Sequence, residues 1–523
     1  MTEKLLLTNA HLPGKPGLFS IAIHADEIFD IKSMQETTSR GAERFDLEGA
    51  CVLPGLWDAH LHLELLTLRL NAIDCETDTK QACLDTVQQA ARAYADDRWL
   101  VGFNWNHNIW KPAEYGTSKE LDQVSGSHPV LLYAKSLHAS WANSAALRLA
   151  GISENTPDPV GGEILSDLAG KPTGILLENA MSLVDDIIPL PAKELLAEQM
   201  RATQSYLHSL GITAVHDFDR FESYEALKLL SNRGERTLEV VKNLPTEALD
   251  QILGQDYRAE MRMLGITPGW IKGFADGALG PQSAAMFEPY ENSTNRGMLL
   301  LHPEKILELG LKAAKAGWPL AIHAIGDAAN QTVLDGFALL RAAEASQNLS
   351  HLQHRMEHVQ CLRPDDFKRF QTLDVIASVQ PIHAPSDREM ARRYWGKRNA
   401  YAYAYRSLQE AGARLVFGSD APVESPNPFL GMQAAVDRPE ELPSDLPENW
   451  PSSQSLDLSA VLDAYTLIPA KIAGLDQVGR LATGQLANLI TLPTDPFGLN
   501  PAELGNLKPL HTFVRGKLVY SAP

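Results

Sequence analysis

Three regimes of apolar and polar patterning follow one another along the chain. Over residues 1–53, short apolar or alternating runs at 5–9, 19–24, 27–31 and 50–53 are broken by Pro13-Gly14-Lys15-Pro16-Gly17 and by polar segments. That is the pattern of strands and turns. The other end repeats it: 488–492 and 511–514 are strand-like, and Arg515-Gly516-Lys517 reads as a hairpin turn before 518–520. Two β-rich ends around a long middle predict a composite β-sandwich from 1–53 and 473–523. Two unrelated β appendages are the plainer alternative.

From about residue 195 the rhythm becomes helix, short apolar strand, polar terminus. The strands fall at 214–217, 238–241, 270–274, 319–323, 355–358, 375–379 and 415–418, with amphipathic helices such as 303–316, 330–344 and 400–411 between them. Residues 56–62 supply an eighth strand. Eight strands alternating with helices predict an α/β chain, a (β/α)8 TIM barrel over 54–75 and 186–472. Residues 76–185 break the rhythm. Helical periodicity over 80–95 gives way to Phe103-Asn104-Trp105-Asn106-His107-Asn108, and 151–174 is dense in Gly, Pro, Asp and Ser. This predicts an insertion after the first barrel strand.

Composition narrows the classes. Hydrophobic content of 44% and charged content of 21% over 523 residues are those of a globular protein. A net charge of −19 argues against a nucleic-acid partner, which needs clustered Lys and Arg. No run of about 18 apolar residues exists, so no membrane span is expected, and residues 1–9 lack the apolar stretch of a signal peptide. Cys51, Cys75, Cys83 and Cys361 show no zinc-finger spacing, and their scarcity fits a cytoplasmic protein.

The chemistry lies at the strand ends, where a TIM barrel carries its active groups. The first strand, in Leu53-Pro54-Gly55-Leu56-Trp57-Asp58-Ala59-His60-Leu61-His62, ends in two histidines that share a face. The fourth carries Lys272, the fifth ends in His323, the sixth in His358 and the eighth in Asp420. A lone histidine after an apolar run is usually a core residue; agreement among five strand ends points to a metal site. Imidazole with carboxylate suits Zn, Mn, Fe or Ni. Four His and one Asp exceed the needs of one catalytic zinc, and two ions need a bridging anion. An ammonium has no lone pair to give. A buried lysine of lowered pKa could react with carbon dioxide to form a bridging carbamate; an ion pair of Lys272 with Asp276 or Asp420 is the alternative.

The stretches 53–62, 271–280, 322–327, 356–358 and 418–423 resemble the motifs of the amidohydrolase superfamily. They are most similar to its amidohydrolase-3 branch, which contains N-substituted formamide deformylase. The likeness extends to His138-Ala139-Ser140-Trp141-Ala142-Asn143, Pro159-Val160-Gly161-Gly162 and Pro172-Thr173-Gly174-Ile175 in the insertion, and to Val478-Gly479-Arg480-Leu481 near the end. The chain departs from the branch at Lys135-Ser136-Leu137-His138, Gly280-Pro281-Gln282-Ser283 and Ala487-Asn488.

The resemblance implies a hydrolase that cleaves an amide, N-acyl or N-formyl C–N bond of a small molecule with a metal-bound hydroxide. By it, His60, His62 and Asp420 hold one metal and His323 and His358 a second. A carboxylated Lys272 bridges two Zn ions, and Asp420 moves the proton. The insertion resembles that branch's lid, with His138 and Glu178 as substrate contacts. His383, at the seventh strand end, is a further substrate contact. Trp57 and Trp105 are candidates for an apolar wall or for core. Asp327 and Glu357 are candidates to orient an imidazole. His216 and Asp217 end the second strand, either as residues near the mouth or as a structural pair. A one-metal deaminase or cyclic-amide hydrolase on the same scaffold is the alternative, a non-catalytic scaffold protein the remote one. A homodimer stays open as the assembly.

Overall fold

The computed structural model of the chain describes residues 4–36, 42–94, 98–135, 139–159, 162–438 and 454–523. Packing divides it into two compact units, residues 1–66 with 196–523, and residues 67–195.

The larger unit holds two eight-stranded sheets. One draws on both chain ends. Strand Cys51–Pro54 pairs antiparallel with Leu489–Leu492, which pairs in turn with His511–Val514. Strand Lys4–His11 joins Leu18–His24, and Glu43–Asp46 adds a strand that the sequence pattern does not reveal. Leu7, Ile21, Val52, Leu489 and Phe513 share its core, so residues from opposite ends of the chain bury one another.

The second sheet is all parallel. Its strands are Leu56–Leu61, Ile212–Asp217, Glu239–Pro245, Thr267–Phe274, Leu320–Ala324, Arg355–His358, Ile376–Val379 and Arg414–Phe417, hydrogen-bonded in chain order. All eight coincide with apolar runs, because parallel strands are buried on both faces and cannot alternate with water. Trp57, Ala214, Val241, Trp270, Ala321, Ile376 and Val416 pack together as its core. The helices expected at 303–316 and 330–344 are Pro303–Ala314 and Asp327–Ser346. The one expected at 400–411 is shorter, Tyr405–Glu410, because Ala402 is extended and Tyr403 is left-handed at φ 51°.

The first and eighth strands come together where their chemistry lies. Asp420 N donates to His60 O at 2.7 Å, and His62 N donates to Ala421 O at 2.9 Å. The Asp58 carboxylate clamps the same corner, accepting from Ser419 N at 3.0 Å and Ser419 Oγ at 2.5 Å. Gly418 permits this approach: a Cβ there would collide with the His60 amide nitrogen and stand 2.8 Å from Asp58 Oδ1. Gly418→Ala is therefore expected to cost about 1–3 kcal/mol of stability by overpacking and to part His60 from Asp420. A thermal melt and a metal assay, both at wild-type values, would contradict this.

The smaller unit has a six-stranded sheet. Its order is Gly162–Ser166, Pro172–Glu178, Ala139–Ala142, Val130–Ala134, Leu100–Trp105, Ile73–Asp74. Trp105, Trp110, Trp141 and Leu121 lie in its core. Among the described residues, no helix is long and apolar enough to cross a membrane.

Candidate metal centre

Three of the expected ligands converge. Donor atoms of His60, His62 and Asp420 all lie within 4.8 Å of one another. Asp420 Oδ1 stands 3.4 Å from His60 Nε2 and 3.3 Å from His62 Nε2.

The other ring nitrogens explain why these atoms face inward. His60 Nδ1 donates to Glu357 Oε2 at 2.6 Å, and His62 Nδ1 donates to Asp219 Oδ1 at 3.1 Å. His358 Nδ1 donates to the Gln380 amide oxygen at 2.9 Å. In His60 and His358 the bond fixes a tautomer that leaves Nε2 with a lone pair, the usual preparation of a ligating imidazole; His62, between two carboxylates, offers that lone pair once a metal ion displaces its second proton. His323 is arranged the other way, with Nε2 donating to Gly277 O at 2.9 Å and Nδ1 left as acceptor.

His60 Nε2 is buried and has no hydrogen-bond partner. A buried polar atom left in that state costs about 1–3 kcal/mol. Its lone pair faces a carboxylate oxygen, and two acceptors in van der Waals range repel unless a cation lies between them. The donor set therefore fits a divalent ion held by His60, His62 and Asp420.

Charge is balanced in depth. Burial resists ionisation of Glu357, but Arg355 and His60 overcome it and hold the carboxyl well below the usual range. Arg355 is completely buried in the barrel and pairs with Glu357: a terminal N–H donates to Oε2 at 3.0 Å, and Nε stands 2.5 Å from Oε1 as an ionic contact outside hydrogen-bond alignment. It also donates to Ala59 O, Ser378 Oγ and His216 Nδ1. Burial and the nearby Lys272 charge lower His60 to about 4, so this ring is neutral at neutral pH. Burial works against a charge on His62 as well, but Asp219 and Asp420 on either side raise it to about 10.

The remaining expected ligands lie close by. His358 Nδ1 is 4.0 Å from Asp420 Oδ2, and its ring centre is 4.9 Å from that of His60. His323 packs against His358 with ring centres 4.5 Å apart. His358 and Asp420 both take left-handed backbone, at φ 75° and 61°, strain of a kind that gathers at functional sites. Burial lowers Lys272 to about 8. Its amine faces the rings of Phe218 and Phe274 at 4.8 and 4.9 Å. Among the described residues no ion pair joins Lys272 to Asp276 or Asp420. Asp276 instead accepts the amides of Ala285, Ile325 and Gly326.

Other candidates separate. His383 Nε2 stands 3.6 Å from Asp420 Oδ2, beyond hydrogen-bond range. Glu178 lies in the smaller unit, lining a cavity of about 470 Å3 with Trp105, His107, Tyr115 and Lys135; His138 lies outside the described residues. Trp57 is core, packed edge-on against His216, and the indole of Trp105 donates to Leu132 O. Among the described residues Asp327 orients no imidazole; it accepts the Phe287 amide at 3.0 Å. His216 is tied to Arg355, and Asp217 to Lys242. Sequence reasoning missed Asp219, Gln380 and Arg355. Arg355 carried a signal, being a charged residue in a buried strand, which demands a partner.

The amidohydrolase family model matches residues 43–520. The chain belongs to the amidohydrolase family. It is 30% identical to N-substituted formamide deformylase of Arthrobacter pascens, over 93% of this chain and 92% of the relative. It is 29% identical to the protein LONG AFTER FAR-RED 3 of Arabidopsis thaliana, over 99% of this chain and 91% of the relative. An uncharacterized metal-dependent hydrolase from Pyrococcus horikoshii OT3 superposes with a TM-score of 0.78 at 25% identity, covering 95% of this chain and 99% of that one. A hydrolase of the amidohydrolase family, with metal-dependent structural neighbours, is thus established at the level of family.

Proposed function

We propose that this amidohydrolase cleaves the C–N bond of a small amide, N-acyl or N-formyl compound at the His60–His62–Asp420 centre. The observation that carries the reading is the set of inward donor atoms, with His60 Nε2 buried and unpartnered beside the Asp420 carboxylate. The 30% identity with a formamide deformylase, over 93% of this chain and 92% of that one, supports the bond type.

A divalent ion, when bound, supplies a Lewis acid that polarises a carbonyl and acidifies a water. His60 and His62 hold it, and Glu357 and Asp219 keep their rings aimed. Asp420 takes a proton from the attacking water and gives it to the leaving amine nitrogen, so the products are a carboxylic acid and an amine. The low pKa of Asp420 follows from its neighbours: burial opposes its ionisation, and His60, His383 and His62 outweigh burial. His383 sits where it can contact substrate.

Hydrolysis is tested by screening N-formyl, N-acyl amino-acid and cyclic-amide libraries with added zinc or manganese. Turnover of an amide class supports the reading; release of ammonia from a ring amine alone would favour deamination instead. The single three-residue donor set among the described residues favours a one-metal centre as the second reading. Two ions require Lys272 to carry a carbamate, with His323 and His358 as ligands of the second. With 13C-labelled bicarbonate, the two-metal reading expects a carbamate resonance in the wild type that Lys272→Ala lacks, and half the metal content in His323→Ala. A bare lysine with full metal content in His323→Ala would remove it.

A further inference from the structure

His62 stands one residue beyond the end of the first barrel strand, Leu56–Leu61, so the ladder alone does not hold its ring. An acidic turn at the end of the second barrel strand holds it, and a lysine holds the turn. We infer that Lys242 is a positioning residue for the metal centre, acting on His62 through Asp217 and Asp219. The inference rests on the reading of His62 as a metal ligand.

Lys242 lies in the third barrel strand, and its side chain and that of Asp217 are both fully buried. Its ammonium donates to Asp217 Oδ2 and to the Asp219 carbonyl oxygen, each at 2.7 Å. One cation thus fixes the 217–219 turn from both ends. The Asp217 carboxylate accepts from Leu63 N at 3.1 Å, Ser223 Oγ at 2.7 Å and Asp219 N at 3.3 Å. Asp219 accepts from His62 Nδ1 through Oδ1, and from Glu64 N through Oδ2. The imidazole and both residues that follow it are therefore anchored to two carboxylates that share Lys242 as counter-charge.

Two buried carboxylates two residues apart repel, and burial disfavours both charges. Without Lys242 the turn loses the contact that joins its halves, and the bond that aims the His62 ring loosens with it. The arrangement repeats on the other arm of the chelate, where Arg355 backs Glu357 and Glu357 backs His60. Each histidine has a carboxylate behind it, and each carboxylate has a buried cation in reach. A lysine that served only the barrel core would leave metal affinity untouched in whatever protein folds. One that acts through Asp219 must lose its effect once Asp219 can no longer accept.

The test is a calorimetric titration of metal-free wild type, Lys242→Met, Asp219→Ala and the double variant with Zn2+. Lys242→Met is expected to weaken binding by about 10- to 100-fold, the usual cost of removing a group that orients a metal ligand. In the Asp219→Ala background, where no side-chain acceptor is left for His62 Nδ1, the same change is expected to add little. Lys242→Arg, which keeps the charge, is expected to recover part of the affinity. Wild-type affinity in Lys242→Met, or an undiminished loss on top of Asp219→Ala, would overturn the inference. Should Lys242→Met fail to fold, Lys242→Gln retains a hydrogen-bond donor and enters the same cycle with the same two outcomes. Absence of Zn2+ binding by the wild type would refute the ligand reading itself, a result distinct from equal binding by both proteins.

Discussion

Asp420→Asn is expected to yield a folded protein whose kcat is lower by about 100- to 10,000-fold, the contribution of a positioned acid–base group. The amide matches the carboxylate in size, so packing at the closure of the barrel is kept. The backbone bond from Asp420 N to His60 O is unaffected. What changes is charge. The side chain can no longer accept a proton from water, and the ring nitrogens of His60 and His62 face an amide in place of an anion. Metal content is expected to fall as well, which separates this outcome from loss of proton transfer alone. Activity within twofold of wild type on the substrate found by screening would exclude Asp420 from the chemistry.

The largest effect on stability is expected at Arg355, a residue that touches no ligand site directly. Removing one partner of a buried ion pair costs about 3–5 kcal/mol, because the other charge stays buried without compensation. Arg355→Met would leave Glu357 with the neutral His60 ring as its hydrogen-bond partner and Lys272 as its remaining charged neighbour, and would strip donors from Ala59 O, Ser378 Oγ and His216. A lysine is not expected to restore it, since one ammonium cannot reach Glu357, Ala59 O, Ser378 Oγ and His216 at once as the guanidinium does. Arg355→Met combined with Glu357→Gln is expected to be less damaging than Arg355→Met alone. Urea unfolding of the four proteins measures this. Equal midpoints for wild type and Arg355→Met would mean that the pair is dispensable.

Much of this architecture is legible in the sequence for a plain physical reason. Barrel strands are buried on both sides, so they appear as apolar runs, and a His or Asp closing such a run is conspicuous. His60, His62 and Asp420 were visible in that way. Of their partners, Glu357 is legible as a candidate to orient an imidazole, but the ring it meets is not, and Asp219 is not legible at all. Glu357 meets His60 across 297 residues of sequence, and Asp219 meets His62 across 157. No local pattern encodes a contact of that separation. Gly418 is similar, because its need for a missing Cβ comes from the first strand crossing it, which only the closed sheet reveals. Over residues 73–178 the Trp- and Asn-rich segments conceal a six-stranded sheet, since strands of two to seven residues are too short to show a clear period. The ion-pair alternative for Lys272 was reasonable from its neighbours in sequence; Asp276 is instead occupied by three backbone amides.

The centre at His60, His62 and Asp420 is tested most directly by the divalent-metal content of the purified wild-type chain beside His60→Ala, measured by plasma mass spectrometry after exhaustive dialysis. The expected result is at least one tightly held ion per wild-type chain and a large deficit in the folded variant. Equal metal content in the two proteins would contradict it.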